Sequence, residues 1–307
     1  MNIQEARLTM DELCRDAQSV ADQLLASMPP QAGAAANELA DLIKRNMVGA
    51  KYHQIPEQAF RFESEMPSLA PIVAAQLLAQ LGKRYADERI PTSIILQMTR
   101  QGKRILGNLR TAQASDISFQ NDAFQKDLAM CIGEAWPCVA QVVERTAGIP
   151  RRLFFKGDLR QALTLGRNVL GDMKVKPYYE IHTHTPMLDG FTKEGWDQCY
   201  LLVADLLSAD AKCLGMLGAS WFYDPDVLPI SPRLAYLREI PEQGGAFFLR
   251  CGSSEKDAGL ATSTSATRRE AFESGSYKPT SYMLVWRRDA LLRWAEVSRS
   301  KRVLNET

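Results

Sequence analysis

Pro177-Tyr178-Tyr179-Glu180-Ile181-His182-Thr183-His184-Thr185-Pro186 is the stretch on which the reading of this 307-residue chain turns. Its aromatic and β-branched residues suit a pleated, half-buried surface, so the segment predicts a β-strand. Side chains alternate between the two faces of a strand. Glu180, His182 and His184 are therefore expected on one face, with Tyr179, Ile181, Thr183 and Thr185 on the other. The chain has three histidines, and two of them stand here one residue apart. One carboxylate and two imidazoles on a common face are the material of a metal site or an acid–base site. Glu180, His182 and His184 are thus the candidate catalytic residues. With zinc or iron they are also the candidate ligands, as two imidazoles and a carboxylate of a facial triad. A solvated strand face is the plainer alternative, because the only other histidine is His53. Further ligands would have to come from Asp189, Asp224 or Asp226.

Working outward, the sequence after residue 150 mixes strands with helices. Leu153-Phe154-Phe155 reads as a short strand, and Asp158 opens a helix expected to reach Leu170 and stop at Gly171. Thr192 caps a strong helix to about Leu207, with Trp196, Tyr200, Val203 and Leu207 facing inward. Residues 213–223, 233–239, 246–250 and 281–286 read as further strands, and Asp289 opens a last helix. Several strands in succession favour α+β over a doubly wound parallel sheet.

Before residue 150 the spacing is helical. Thr9-x-x-Glu12 reads as a capping box ahead of Leu13, Ala17, Val20 and Leu24. Pro29-Pro30 ends that helix, and a second spans about 34–48. Ser68 caps a third with Ile72, Leu77, Leu78 and Leu81 inward, and another runs from Pro91 to about Arg110. On this last helix Arg100, Lys103, Arg104 and Arg110 read as a solvated face. A helix over 122–146, kinked by Pro137, is expected next, and Gly148-Ile149-Pro150 stops it. The expectation is an all-helical part over 1–150, followed over 151–307 by an α+β domain that carries the site. That domain would hold a mixed or antiparallel sheet with flanking helices.

Composition narrows the function. With 46% hydrophobic and 24% charged residues the chain can bury a substantial core. A net charge of +1 gives no overall field toward nucleic acid or an anionic membrane. No run of eighteen apolar residues predicts a membrane span, and the N-terminus carries no basic region followed by an apolar run. Six scattered cysteines without a Cys-x-x-Cys pair read as reduced thiols, so a cytoplasmic protein is expected. The expected partner is a small molecule, with no nucleic acid and no membrane, and self-association would use the helical half.

Two other stretches are candidates for binding. Trp221-Phe222-Tyr223-Asp224-Pro225 places large aromatics and a carboxylate at a strand end, the composition of a small-molecule pocket wall. Trp221, Tyr223 and Asp224 are the substrate-binding candidates there. In Ala261–Glu270, hydroxyls precede paired arginines, and Ser265, Arg268 and Arg269 are candidates for seating a phosphate or carboxylate. No P-loop, nucleophile elbow, His-Glu-x-x-His or dinucleotide fingerprint is present.

The favoured function is a small-molecule enzyme built on the Glu180/His182/His184 face, a zinc hydrolase or a non-haem iron oxygenase if it carries metal. Arg269-Glu270-Ala271-Phe272-Glu273-Ser274-Gly275-Ser276-Tyr277 and the strand from Thr280 to Trp286 resemble the end of an N-acetyltransferase-type domain, over some twenty residues. The resemblance implies an acyltransferase with an anionic donor pocket. The glycine-containing pyrophosphate loop usual in that family is not evident, which weighs against coenzyme A. A non-catalytic ligand-binding protein is the third alternative.

Overall fold

The computed structural model describes residues 3–87, 90–111, 117–154, 156–157, 159–166 and 177–306. Its fold class is α+β, with helices first and then a mixed sheet with flanking helices. The chain divides into two compact units. One is Met1–Arg145 with Thr183–Phe191, and the other is Thr146–His182 with Thr192–Thr307.

The first unit contains α1 (Ile3–Ala26), α2 (Ala32–Met47), α3 (Glu57–Glu65), α4 (Leu69–Ala79), α5 (Leu81–Asp87), α6 (Thr92–Thr111) and α7 (Asp122–Cys131). Helix α4 is apolar around most of its circumference, with Leu69, Ile72, Val73, Leu77 and Leu78 all buried, so it sits at the centre. The stripe Ala6, Met10, Leu13, Ala17 and Val20 of α1 packs against α4 and α6. Gly102 allows α1 and α6 to approach closely, since a Cβ there would run into the Leu13 side chain. That stripe begins before Thr9, so the helix starts at Ile3. The expected cap Thr9 lies inside it and donates to the Glu5 carbonyl at 2.7 Å.

The expected helix over 122–146 ends at Cys131. Asn121 caps its start, accepting from the amides of Ala123 and Phe124. Gly133, at φ 73°, turns the chain out of the helix. The β-branched run that follows forms an antiparallel hairpin of β1 (Ala135–Cys138) and β2 (Gln141–Ala147). Residues 1–150 are therefore not all helical. Val139, at φ 53°, makes the tight turn.

The second unit takes the last two residues of β2 and continues with a 3-10 turn at Arg151–Phe154, so Leu153 and Phe154 do not form the expected strand, whose last residue, Phe155, lies outside the described residues. Next comes α8 (Leu159–Leu165); Asp158 and residues 167–171, the rest of that expected helix, lie outside the described residues. The unit then runs through β3 (Tyr178–His182), α9 (Lys193–Ala209), β4 (Gly215–Ser220), α10 (Tyr236–Gln243), β5 (Phe247–Gly252), α11 (Glu255–Thr262), α12 (Ala266–Glu273), β6 (Ser281–Arg287) and α13 (Arg288–Glu306). Residues 233–239 were expected as a strand and instead form a 3-10 turn leading into α10.

Strand β3 pairs in parallel with β4, β4 antiparallel with β6, and β6 antiparallel with β5, so the sheet is mixed. Thr192 caps α9 as expected, accepting from the Gly195 amide at 3.1 Å. One sheet face meets α9 and α13 through Trp286, Tyr200 and Trp294, whose rings lie 5.2–5.9 Å apart in edge contacts. The other face builds a core of Tyr178, Leu217, Leu249, Met283 and Val285.

Candidate functional site

At the end of β4 the chain leaves the sheet through a 3-10 turn at Trp221–Tyr223 and reaches the Asp224-Pro225 corner. Asp224 is buried and holds two strands of backbone together. Its Oδ1 accepts from the Asp226 amide at 3.1 Å and its Oδ2 from the Thr280 amide at 2.9 Å. Burial raises its pKa against the pull of these two bonds.

Ser265 caps α12, its hydroxyl accepting from the Arg268 amide at 3.4 Å. The cap places Arg268 in the first turn of α12, facing inward. Its Nε donates to the Ala261 carbonyl, one terminal nitrogen to Ser231 Oγ at 3.0 Å and the other to Thr264 Oγ1 at 3.3 Å. The guanidinium lies over the Trp221 ring, 4.7 Å from its centroid. Arg268 is only 2% exposed, yet it meets no carboxylate among the described residues. The neighbouring charge is another arginine, the exposed Arg233. Burial and then Arg233 lower the Arg268 pKa, while Tyr277 works the other way.

A guanidinium has five N–H donors. Three are engaged here, all by neutral oxygens, and one remains on each terminal nitrogen. A free N–H on each terminal nitrogen can take a carboxylate or phosphate through two bonds where the two lie side by side. A buried cation without a counter-charge is costly, and a second cation beside it adds to the cost. An oxyanion would relieve both.

Glu180 and His182 share a face of β3, as the alternation predicts. Both are half-buried while Tyr179 and Ile181 are buried, and a carboxylate oxygen and a ring nitrogen of the pair lie within 4.8 Å of one another. Their face is that of Leu217, which pairs with Glu180. Tyr223 belongs to the opposite side, where its hydroxyl and Ile181 crowd over Gly218, and its ring packs on Phe222 and Phe248. The second unit thus brings Trp221, Ser265 and Arg268 together and keeps Glu180 and His182 from Tyr223. Arg269 is exposed on α12 and, among the described residues, reaches only the carbonyls of Thr262 and Ser263, at 3.4 Å.

His184 lies beyond the end of β3, in the segment that belongs to the first unit. It is fully buried, and its Nε2 sits 2.8 Å from Asp127 Oδ1. Arg104 forms a bidentate pair with the same carboxylate, so it is not part of a solvated face. Burial acts to raise the Asp127 pKa, but hydrogen bonds from His184 and Arg104 outweigh it and hold the carboxyl below its usual range. Next to it, Lys126 donates to the Thr183 carbonyl at 2.8 Å. These bonds clasp the 183–191 segment to α6 and α7. A cleft of about 340 Å³ opens beside Asp127, lined also by Asn108, Phe124 and Thr185, but the carboxylate is already taken up by three donors.

Several residues escaped the sequence reading. Asp127 had a signal, since it falls on the buried side of α7 with Phe124, Leu128 and Cys131. Ser231, Arg233 and Tyr277 had none, because they reach Arg268 from distant parts of the chain.

No family model, no curated protein and no solved structure matches this chain. Among the described residues no helix is long and apolar enough to cross a membrane.

Proposed function

We propose that this protein acts on a small molecule carrying an anionic group, which the second unit seats on the free fork of Arg268 against Trp221. The observation that carries this reading is the buried guanidinium with neutral partners only and Arg233 beside it. A cation kept purely for structure is normally matched by a carboxylate; a cation kept for a ligand is matched when the ligand arrives. Isothermal titration with inorganic phosphate and with acetate tests it. The wild type binds at least one of them, Arg268→Lys loses the bidentate fork and most of the affinity, and Arg233→Gln weakens binding and its salt dependence. A wild type that binds neither anion overturns the proposal.

A second reading rests on Glu180 and His182. Their donor atoms are close enough to share one metal ion, or for the carboxylate to orient the imidazole as a base. Zinc and iron are the metals such donors suit. Elemental analysis of the purified chain and of His182→Ala tests the metal form.

A further inference from the structure

Tyr277 is 3% exposed, and its hydroxyl has no hydrogen-bond partner among the described residues. A buried hydroxyl left unbonded is costly, so its presence calls for a reason. The residue follows α12 through the left-handed turn at Gly275, φ 76°, and its amide returns to the Ala271 carbonyl at 3.0 Å. That return lays Tyr277 alongside the helix that carries Arg268. The two side chains act on each other electrostatically, and Asp224 and Asp226 also bear on the phenol. With burial, these carboxylates keep the phenol protonated, so it can only donate toward an anion.

Among the described residues three donors on or beside α12 therefore lack acceptors: one N–H on each terminal nitrogen of Arg268, and the O–H of Tyr277. A carboxylate held by the two arginine N–H groups has lone pairs left in its own plane but no third oxygen. A phosphoryl group offers a third oxygen, which the phenol would meet.

We propose that Tyr277 is a ligand-contacting residue, its hydroxyl donating to an oxygen of a substrate phosphate held on Arg268. This rests on the reading of Arg268 as the anion seat. The ligand class is then a phosphate monoester or a similar phosphorylated small molecule.

The test is titration calorimetry of the full chain with inorganic phosphate and acetate, on wild type, Tyr277→Phe and Arg268→Lys, with the melting temperature of each protein recorded without ligand. Phosphate should bind the wild type more tightly than acetate. Tyr277→Phe should lose about five- to tenfold in phosphate affinity with little change for acetate. It should melt no lower than wild type, since no bond is lost in the free protein. Unchanged phosphate affinity in Tyr277→Phe, while Arg268→Lys loses it, overturns the role of Tyr277 and leaves the anion seat standing. Tighter binding of acetate overturns the phosphate class, and a wild type that binds neither overturns both proposals. A Tyr277→Phe protein that melts several degrees lower with its affinity intact marks the phenol as structural and overturns the proposal.

Discussion

The guanidinium of Arg268 rests 4.7 Å above the ring of Trp221, and the oxygens that hold it are a backbone carbonyl and two hydroxyls. The indole supplies attraction without charge, so the cation is positioned but not neutralised. Trp221→Leu should keep the fold and weaken anion binding by about 0.5–2 kcal/mol, the range of a partly desolvated cation–π contact. Calorimetry on the variant measures this.

The clasp in the first unit should dominate its acid stability. The pKa of Asp127 is lower folded than unfolded. Such a carboxyl contributes stability above its unfolded value, near 4, and that contribution fades as the pH falls through the folded value. Asp127→Asn should lower stability at pH 7 by about 3–5 kcal/mol, the cost of stripping one partner from a buried ionic network. It should also flatten the loss of stability below about pH 4. Denaturant unfolding at pH 7 and pH 3 checks both effects.

His184→Ala should behave as a core defect of the first unit. It removes a fully buried ring and its bond to Asp127, so a loss of about 2–4 kcal/mol is expected. Binding of phosphate at Arg268 in the second unit should be unchanged at temperatures where the variant is folded. Equal stability of variant and wild type would contradict the clasp.

Gly215 should tolerate no side chain. It opens β4 at φ 151°, where a Cβ would collide with the carbonyl oxygen of Trp286. Its pairing with Arg287 fixes the register, so the backbone has no room to yield. Gly215→Ala should cost about 2–5 kcal/mol from strain and overpacking together, read as a fall in melting temperature.

Much of the second unit was legible in the sequence, and the reasons are local. Thr192 caps α9 and the alternation of β3 holds, because a cap and a period of two depend on neighbours in the chain. The strands at Phe247–Gly252 and Ser281–Arg287 lie where their apolar residues predicted them. The hairpin at 135–147 was hidden because its residues also fit a helix, and only the left-handed turns at Gly133 and Val139 decide the matter. His184 was expected to share the work of Glu180 and His182, but the strand ends at His182 and the ring is used by Asp127, fifty-seven residues away. The hydroxyl-rich approach to Arg268 was legible, because Thr264 and Ser265 are its neighbours in the chain. Its partners Ser231 and Trp221, like the phenol of Tyr277, come together only through the fold.

The measurement that bears most directly on the central claim is a crystal structure of the protein soaked in inorganic phosphate. The account predicts tetrahedral density bonded to both terminal nitrogens of Arg268 and to the Tyr277 hydroxyl, with the Trp221 stack retained. An Arg268 that keeps only Ala261, Ser231 and Thr264 as partners, with no density at its free edge at saturating phosphate, would contradict it.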